Sequence, residues 1–261
     1  MYTKEQIKND LYNLGIHPGD MILMHSSYKS LGKIEGGAKT FFEAFVELLG
    51  TDGTLVVPSL SFCTVTRENP VFDIKSTPSC VGYLAEFFRT EVAGVVRSLH
   101  ATHSCCALGK YAKEITSNHE KDITPVGKNS PFAKLPEYNG KILMLGCGTR
   151  CNTSMHGVEE ITEPPYCIDR KNMLTYTLKN GDNIITVNSY PHDFATQSGA
   201  HYIQRYDRIV DLLTEDEFCT GKVLDASCCL MDAKAVWKKG NEMLTCDPMF
   251  FVDYPQTNES L

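Results

Sequence analysis

The chain has 261 residues, 42% of them hydrophobic and 22% charged, with a formal net charge of −7. That length buries a substantial core in one large domain or two small ones, and the acidic balance excludes the basic face that nucleic acid requires. No apolar run approaches the ~20 residues of a membrane span, and Met1-Tyr2-Thr3-Lys4-Glu5 lacks a signal-peptide pattern, so a cytoplasmic protein with no membrane contact is expected.

Thr3-Lys4-Glu5-Gln6 is a capping-box pattern, and Ile7, Leu11 and Leu14 recur at helical spacing before Gly15. This predicts an amphipathic first helix. The apolar run at residues 21–24 reads as a strand, followed by a polar loop from His25 to Gly37 and a helix carrying Phe41, Phe42, Phe45, Val46, Leu48 and Leu49. Residues 54–57 form a second buried strand stopped by Pro58, which completes a β-α-β unit behind the leading helix. Further strands are predicted at residues 95–96 and 142–145, and helices over 81–89, 154–161 and 232–239. Residues 184–187 and 221–230 read as antiparallel strands, so the expected fold is α/β with a mixed sheet. No repeat, low-complexity segment or dividing linker interrupts it.

The eleven cysteines are an odd number, and Cys105, Cys106, Cys147, Cys228 and Cys229 fall in apolar or small-residue stretches. Buried free thiols are expected rather than disulfides. No C-x-x-C pairing resembles a zinc module, and Cys105 as a nucleophile is the minor reading.

The loop Ser26-Ser27-Tyr28-Lys29-Ser30-Leu31-Gly32-Lys33-Ile34-Glu35-Gly36-Gly37 joins a strand to a helix. Such a loop aims backbone N–H groups at an anion, and the helix dipole adds attraction. The serines and two lysines supply further donors and positive charge. Neither the G-x-x-x-x-G-K-[ST] nor the G-x-G-x-x-G order is present, and a tight turn without a ligand accounts for the loop equally well.

Two histidine-bearing segments carry the acid/base chemistry: Arg97-Ser98-Leu99-His100-Ala101-Thr102-His103-Ser104 and Asn152-Thr153-Ser154-Met155-His156-Gly157-Val158-Glu159-Glu160. His156 and Glu159 stand at i,i+3, the spacing of a base held by a carboxylate and equally of a helix-surface ion pair. Glu160 is the alternative partner. Ser104 and Thr153 are hydroxyl candidates for an oxyanion. His100 reads as a core histidine, His103 as either core or acceptor wall, and Asp193 as a turn or cap residue. A metal-dependent hydrolase with His100, His103, His156 and Glu159 around zinc is a rival, although His-Glu-x-x-His is absent.

An ordered series of motifs resembles the aminoglycoside 3-N-acetyltransferase family from about Ile7 to about Trp237. It runs from Gly19-Asp20 through His25-Ser26-Ser27 and Gly36-Gly37 to Gly53-Thr54-Leu55-Val56-Val57-Pro58, then Phe72-Asp73, Thr77-Pro78-Ser79, Gly82, Glu86 and Arg89. It continues through Arg97-Ser98, His100, His103, Ser104 and Gly109, Ser130-Pro131 and Leu145-Gly146 to Thr153, His156, Glu159, Pro165-Tyr166 and Gly221-Lys222-Val223. The resemblance implies the fold particular to that family, a mixed central sheet with flanking helices, in a single acetyltransferase domain over residues 1–261. It also implies direct acetyl transfer from acetyl-CoA to the 3-amine of a 2-deoxystreptamine antibiotic, with no metal. CoA would lie against His25, Ser26, Ser27, Lys29, Ser30, Leu31, Gly32, Gly36 and Ser104, and catalysis would fall to His156 with Glu159, His103 and Thr153. The partner is then a small cationic amine, and a homodimer is one option for assembly. Two departures stand out: Arg150 replaces an acidic residue usual in the family, and the segment after Pro58 lacks a common tryptophan. A non-catalytic CoA-binding relative is the third class.

Overall fold

Thr3 begins the first helix as its sequence predicts. Its hydroxyl accepts from Gln6 N and its N–H donates to Gln6 Oε1, so α1 (Lys4–Asn13) starts with two otherwise unpaired donors satisfied, and it buries Ile7 and Leu11. The computed structural model describes residues 1–196 and 198–255. In it α1 is followed by β1 (Met21–Ser26), α2 (Gly37–Leu49), β2 (Thr54–Pro58), β3 (Val71–Asp73), α3 (Tyr83–Glu91), β4 (Val96–Arg97), β5 (Cys105–Gly109), α4 (Ala112–Thr116) and α5 (Pro131–Lys134). The chain continues through β6 (Lys141–Leu145), α6 (Ser154–Thr162), β7 (Leu174–Asn180), β8 (Asn183–Ser189), β9 (Ile203–Gln204), β10 (Phe218–Val223), β11 (Ala226–Asp232), α7 (Ala233–Cys246) and β12 (Val252–Asp253).

Seven strands form the main sheet in the order β10-β11-β6-β1-β2-β5-β4. β1 is parallel to β2 and to β6, because helical crossovers return the chain to the same end, and the outer neighbours are antiparallel. Burial on both faces explains the continuous apolar runs of the central strands. Ile22, Met24, Leu55 and Val57 point into a core shared with α1, α2 and α3, whereas Met21, Leu23 and Val56 join Met155, Val158, Val236 and Trp237 of α6 and α7. A separate sheet, β3-β7-β8, closes over Val65, Phe72, Tyr176 and Leu178.

The predicted β-α-β unit is present, and the mixed sheet with it. Strand 184–187 belongs to the small sheet rather than the main one, β4 starts one residue later than read, and α7 runs past residue 239 to Cys246. All eleven cysteines are free; Cys105, Cys106, Cys228 and Cys229 are buried and Cys147 is half-buried. No helix among the described residues is long and apolar enough to cross a membrane.

α6 and α7 approach closely because of Gly157. A Cβ there would meet Val126 Cγ1 at 2.7 Å and Trp237 Cζ2 at 2.9 Å. Alanine adds up to about 1 kcal/mol of helix propensity, but the overpacking costs about 1–3 kcal/mol, since neither Val126 nor the Trp237 ring is the far end of a flexible chain. Gly157→Ala is therefore expected to lower stability by about 1–2 kcal/mol, read from the urea midpoint at unchanged slope. A midpoint at or above that of the wild type would show that the two helices part without cost.

Candidate active site

The carboxyl ends of β1, β2 and β6 face the start of α6, the edge at which parallel sheets generally take ligands. Asn152 Oδ1 accepts from Ser154 N at 3.1 Å at the start of α6, and Thr153, the N-cap residue, makes no capping bond with its side chain and lines a cavity of about 260 Å³. His25, Ser26, Val57, Pro58, Cys147 and Cys151 also line it. His25 is buried with its Nε2 unpartnered. Burial, reinforced by His156 nearby, pushes its pKa from 6.5 to about 3, so the ring is neutral.

One turn into α6, His156 enters a second cavity of about 340 Å³, walled by His103, His192, Phe62, Tyr176, Tyr190 and Phe194. The spacing predicts a direct bond to Glu159, but His156 Nδ1 and Glu159 Oε2 are 3.8 Å apart. A phenol fills the gap: Tyr206 Oη lies 2.9 Å from His156 Nδ1 and donates to Glu159 Oε2 at 2.7 Å. Tyr166 donates to Glu159 Oε1 at 3.0 Å. Burial, and then the Glu159 charge, hold both phenols far above their usual pKa of 10, so they keep their protons. Tyr206 has one proton and gives it to Glu159, and its oxygen therefore accepts from His156 Nδ1–H. This fixes the tautomer that leaves His156 Nε2 as the basic lone pair.

Glu160 is not the partner of His156. Its Oε1 takes Val126 N–H at 2.8 Å and meets His192 Nε2 at 2.8 Å, and burial raises its pKa to about 7. Ser104, expected as a CoA or oxyanion donor, is fully buried; its hydroxyl donates to Ser59 O and accepts from Arg97 Nε. It braces the wall instead. In the glycine-containing loop only His25 and Ser26 line the first cavity. Ser30 Oγ donates to Ser27 O at 2.6 Å, Leu31 packs in the core, Gly36 caps α2 with φ 72°, and Lys29 is exposed. Ser27 donates its N–H to Leu145 O, and Gly32 turns with φ 78° beside Asp225.

His100 is a core residue, stacked on His119 at 4.4 Å and accepting His103 N–H, whereas the His103 ring stands 6.0 Å from that of His156. The zinc set of the hydrolase reading is therefore not assembled: His100 and Glu159 are engaged elsewhere, and His192, which sequence reading passed over, joins His103 and His156. Cys105 is buried with its thiol pKa pushed far up by desolvation, unsuited to a nucleophile. Arg150, 57% exposed, donates to Gln204 O at 3.1 Å beside the second cavity and faces Asp207 at 3.9 Å. Tyr206 and His192 carry no local sequence signal, and Tyr166 stands in the Pro165-Tyr166 motif without a role read from it; only the fold brings the three to α6.

The chain matches the family model described as aminoglycoside 3-N-acetyltransferase over residues 23–245. It is similar to aminoglycoside N(3)-acetyltransferase IV of Salmonella sp, 33% identical over 171 residues that cover 65% of this chain and 63% of the relative. Aminoglycoside N(3)-acetyltransferase III of Serratia marcescens is 31% identical over 193 residues, 68% of this chain and 70% of that protein. Among solved structures, aminoglycoside acetyltransferase AAC(3)-IVa in complex with gentamicin is similar at TM-score 0.80 and 28% identity, covering 97% of this chain and 92% of that one. AAC-IIIb with CoASH shares the fold at TM-score 0.78 and 24% identity, covering 97% and 99% of the two chains.

Proposed function

The chain belongs to the aminoglycoside 3-N-acetyltransferase family, a family of acyltransferases, and from that premise we propose that it moves acetyl from acetyl-CoA to the 3-amino group of a 2-deoxystreptamine aminoglycoside by direct transfer. The observation that carries this reading is the His156–Tyr206–Glu159 relay, with the thioester-sized cavity of His25 and Thr153 on one side and the aromatic cavity on the other. Residues 1–261 are read as one domain, since the main sheet takes β1 from near the start of the chain and β11 from near its end.

An ammonium nitrogen has no lone pair, so one proton leaves to solvent and the neutral amine attacks. In the proposed sequence His156 Nε2 takes a second proton from that nitrogen as it bonds to the thioester carbonyl carbon, and Tyr206 and Glu159 stabilise the imidazolium. The carbonyl oxygen becomes an oxyanion, for which Thr153 Oγ1 and neutral His25, in the tautomer that protonates its unpartnered Nε2, supply donors. The C–S bond then breaks, and His156 returns the proton to the CoA sulfur. Holding both substrates against α6 makes the step effectively unimolecular. Phe62, Tyr176, Tyr190 and Phe194 offer ring faces to a cationic acceptor.

The reading is tested by release of CoA thiol from acetyl-CoA with 2-deoxystreptamine aminoglycosides, cysteine background subtracted. Amine-dependent release with a product acetylated at the 3-amine is expected. Measurable acetyl-CoA binding without turnover of any such amine overturns it. Tyr206→Phe is expected to lower kcat by about 10–100-fold, the cost of one buried acceptor left short of its donor, with KM for both substrates nearly unchanged. Equal kcat in the two proteins would remove Tyr206 from the relay.

A further inference from the structure

We propose that His103, His156 and His192 form a binding site for a divalent transition-metal ion, zinc by the chemistry of the donors, and that the metal and acetyl transfer exclude one another. Among the described residues these three each offer a ring nitrogen, and the three atoms lie within 4.8 Å of one another. Zinc–imidazole bonds of about 2.0–2.1 Å need nitrogens about 3.4 Å apart. Small side-chain rotations cover that difference.

The surroundings of the rings resemble those of built metal sites. A ligating imidazole typically has its other nitrogen fixed by a carboxylate or another polar group, which sets tautomer and direction. Here His192 Nε2 meets Glu160 Oε1 at 2.8 Å, His103 Nδ1 meets Thr102 Oγ1 at 2.9 Å, and His156 Nδ1 meets Tyr206 Oη at 2.9 Å. One nitrogen of each ring is thereby held and the other is left over. The rings arrive from three separate segments, with centroids 4.7–6.0 Å apart. All three line the 340 Å³ cavity, which leaves a fourth coordination position for water or an amine. Three imidazoles without a carboxylate in the set favour zinc, cobalt or copper over magnesium or calcium.

Binding depends only on this cluster. The exclusion rests on the reading of His156 as the base, because a metal on Nε2 occupies the lone pair that would take the amine proton.

The test uses full-length protein freed of metal with EDTA and titrated with Co²⁺, then with Zn²⁺ in competition. One equivalent is expected, with the visible absorption of a four-coordinate nitrogen site. His192→Ala is expected to weaken binding by at least about 100-fold and Glu160→Gln by about 10–100-fold. His192→Gln, checked by thermal unfolding, separates a lost ligand from a lost fold. Substoichiometric binding, affinity unchanged in both His192 variants, or thiolate-to-cobalt charge transfer from any of the eleven cysteines overturns the site. Zinc that abolishes thiol release reversibly with EDTA supports the exclusion. One bound equivalent with unchanged release overturns the exclusion and leaves the site standing.

Discussion

Replacement of His156 by alanine lowers acetyl transfer by an expected 10²–10⁴-fold, roughly the contribution of a positioned general base, while CoA affinity stays within a few-fold. The two effects separate because the side chain projects into the aromatic cavity, whereas the thioester side is lined by His25, Ser26 and Thr153. His156 is partly open to that cavity, with its side chain 15% exposed, so truncation enlarges an existing space rather than opening a sealed void. The residual cost is the Tyr206 oxygen losing the donor it accepts from, which His156→Asn restores in part without restoring a base. Steady-state thiol release and calorimetric CoA binding on wild type and both variants decide the matter. Near-normal turnover in either variant would mean that the amine loses its proton elsewhere, and the relay through Tyr206 would then be architectural.

What was legible in the sequence depended on how local its physical cause is. The β1-α2-β2 unit could be read because apolar runs, the glycine-containing loop to Gly37 and Pro58 punctuate it within forty residues. β5 could not, since Cys105-Cys106-Ala107 lacks the β-branched signature of a strand although all three residues are buried. β7 does alternate, with Tyr176 and Leu178 inward, but its partner β3 lies about a hundred residues earlier and no short-range pattern announces it. The same division runs through the site. His156 and Glu159 share one helix face and were found by spacing, yet the atom that joins them belongs to Tyr206, fifty residues on. His192 carries no such spacing signal, because the convergence of three separate segments on one cavity leaves no local mark in a sequence. Ser104 fits the motif but spends its hydroxyl inside the wall.

Acid is expected to unfold the metal-free protein between about pH 5 and 6, earlier than carboxylate protonation alone would bring. Five histidines are buried and held neutral, in each case chiefly by desolvation: His25 is pushed to about 3, His100 to about 4, and His103, His119 and His192 well below the usual 6.5. The sign follows from linkage. An unfolded chain protonates these rings below pH 6.5 and the folded one does not, so the stability they permit is complete above 6.5 and is lost as pH falls toward the folded values. Each ring contributes about 1.4 kcal/mol per pH unit, and five make the slope about 7 kcal/mol per unit, against a typical total of about 5–15 kcal/mol. Glu160 works in the opposite direction. Burial raises its carboxyl from 4.5 to about 7, so its contribution is complete below the lower value and lost as pH rises through the higher one. That amounts to about 3 kcal/mol in all, which softens the acid limb without reversing it. Urea unfolding in EDTA at half-unit steps from pH 8 to 5 measures the balance. His119→Gln tests it ring by ring: His119 lines neither cavity, stacks on His100 and meets Ser98 Oγ at 2.9 Å, and glutamine retains a polar partner for that hydroxyl. The variant is expected to flatten the slope by about 1.4 kcal/mol per pH unit. If wild type is as stable at pH 5 as at pH 7, the buried rings accept protons in the folded state, and the neutral His25 invoked as an oxyanion donor loses its basis.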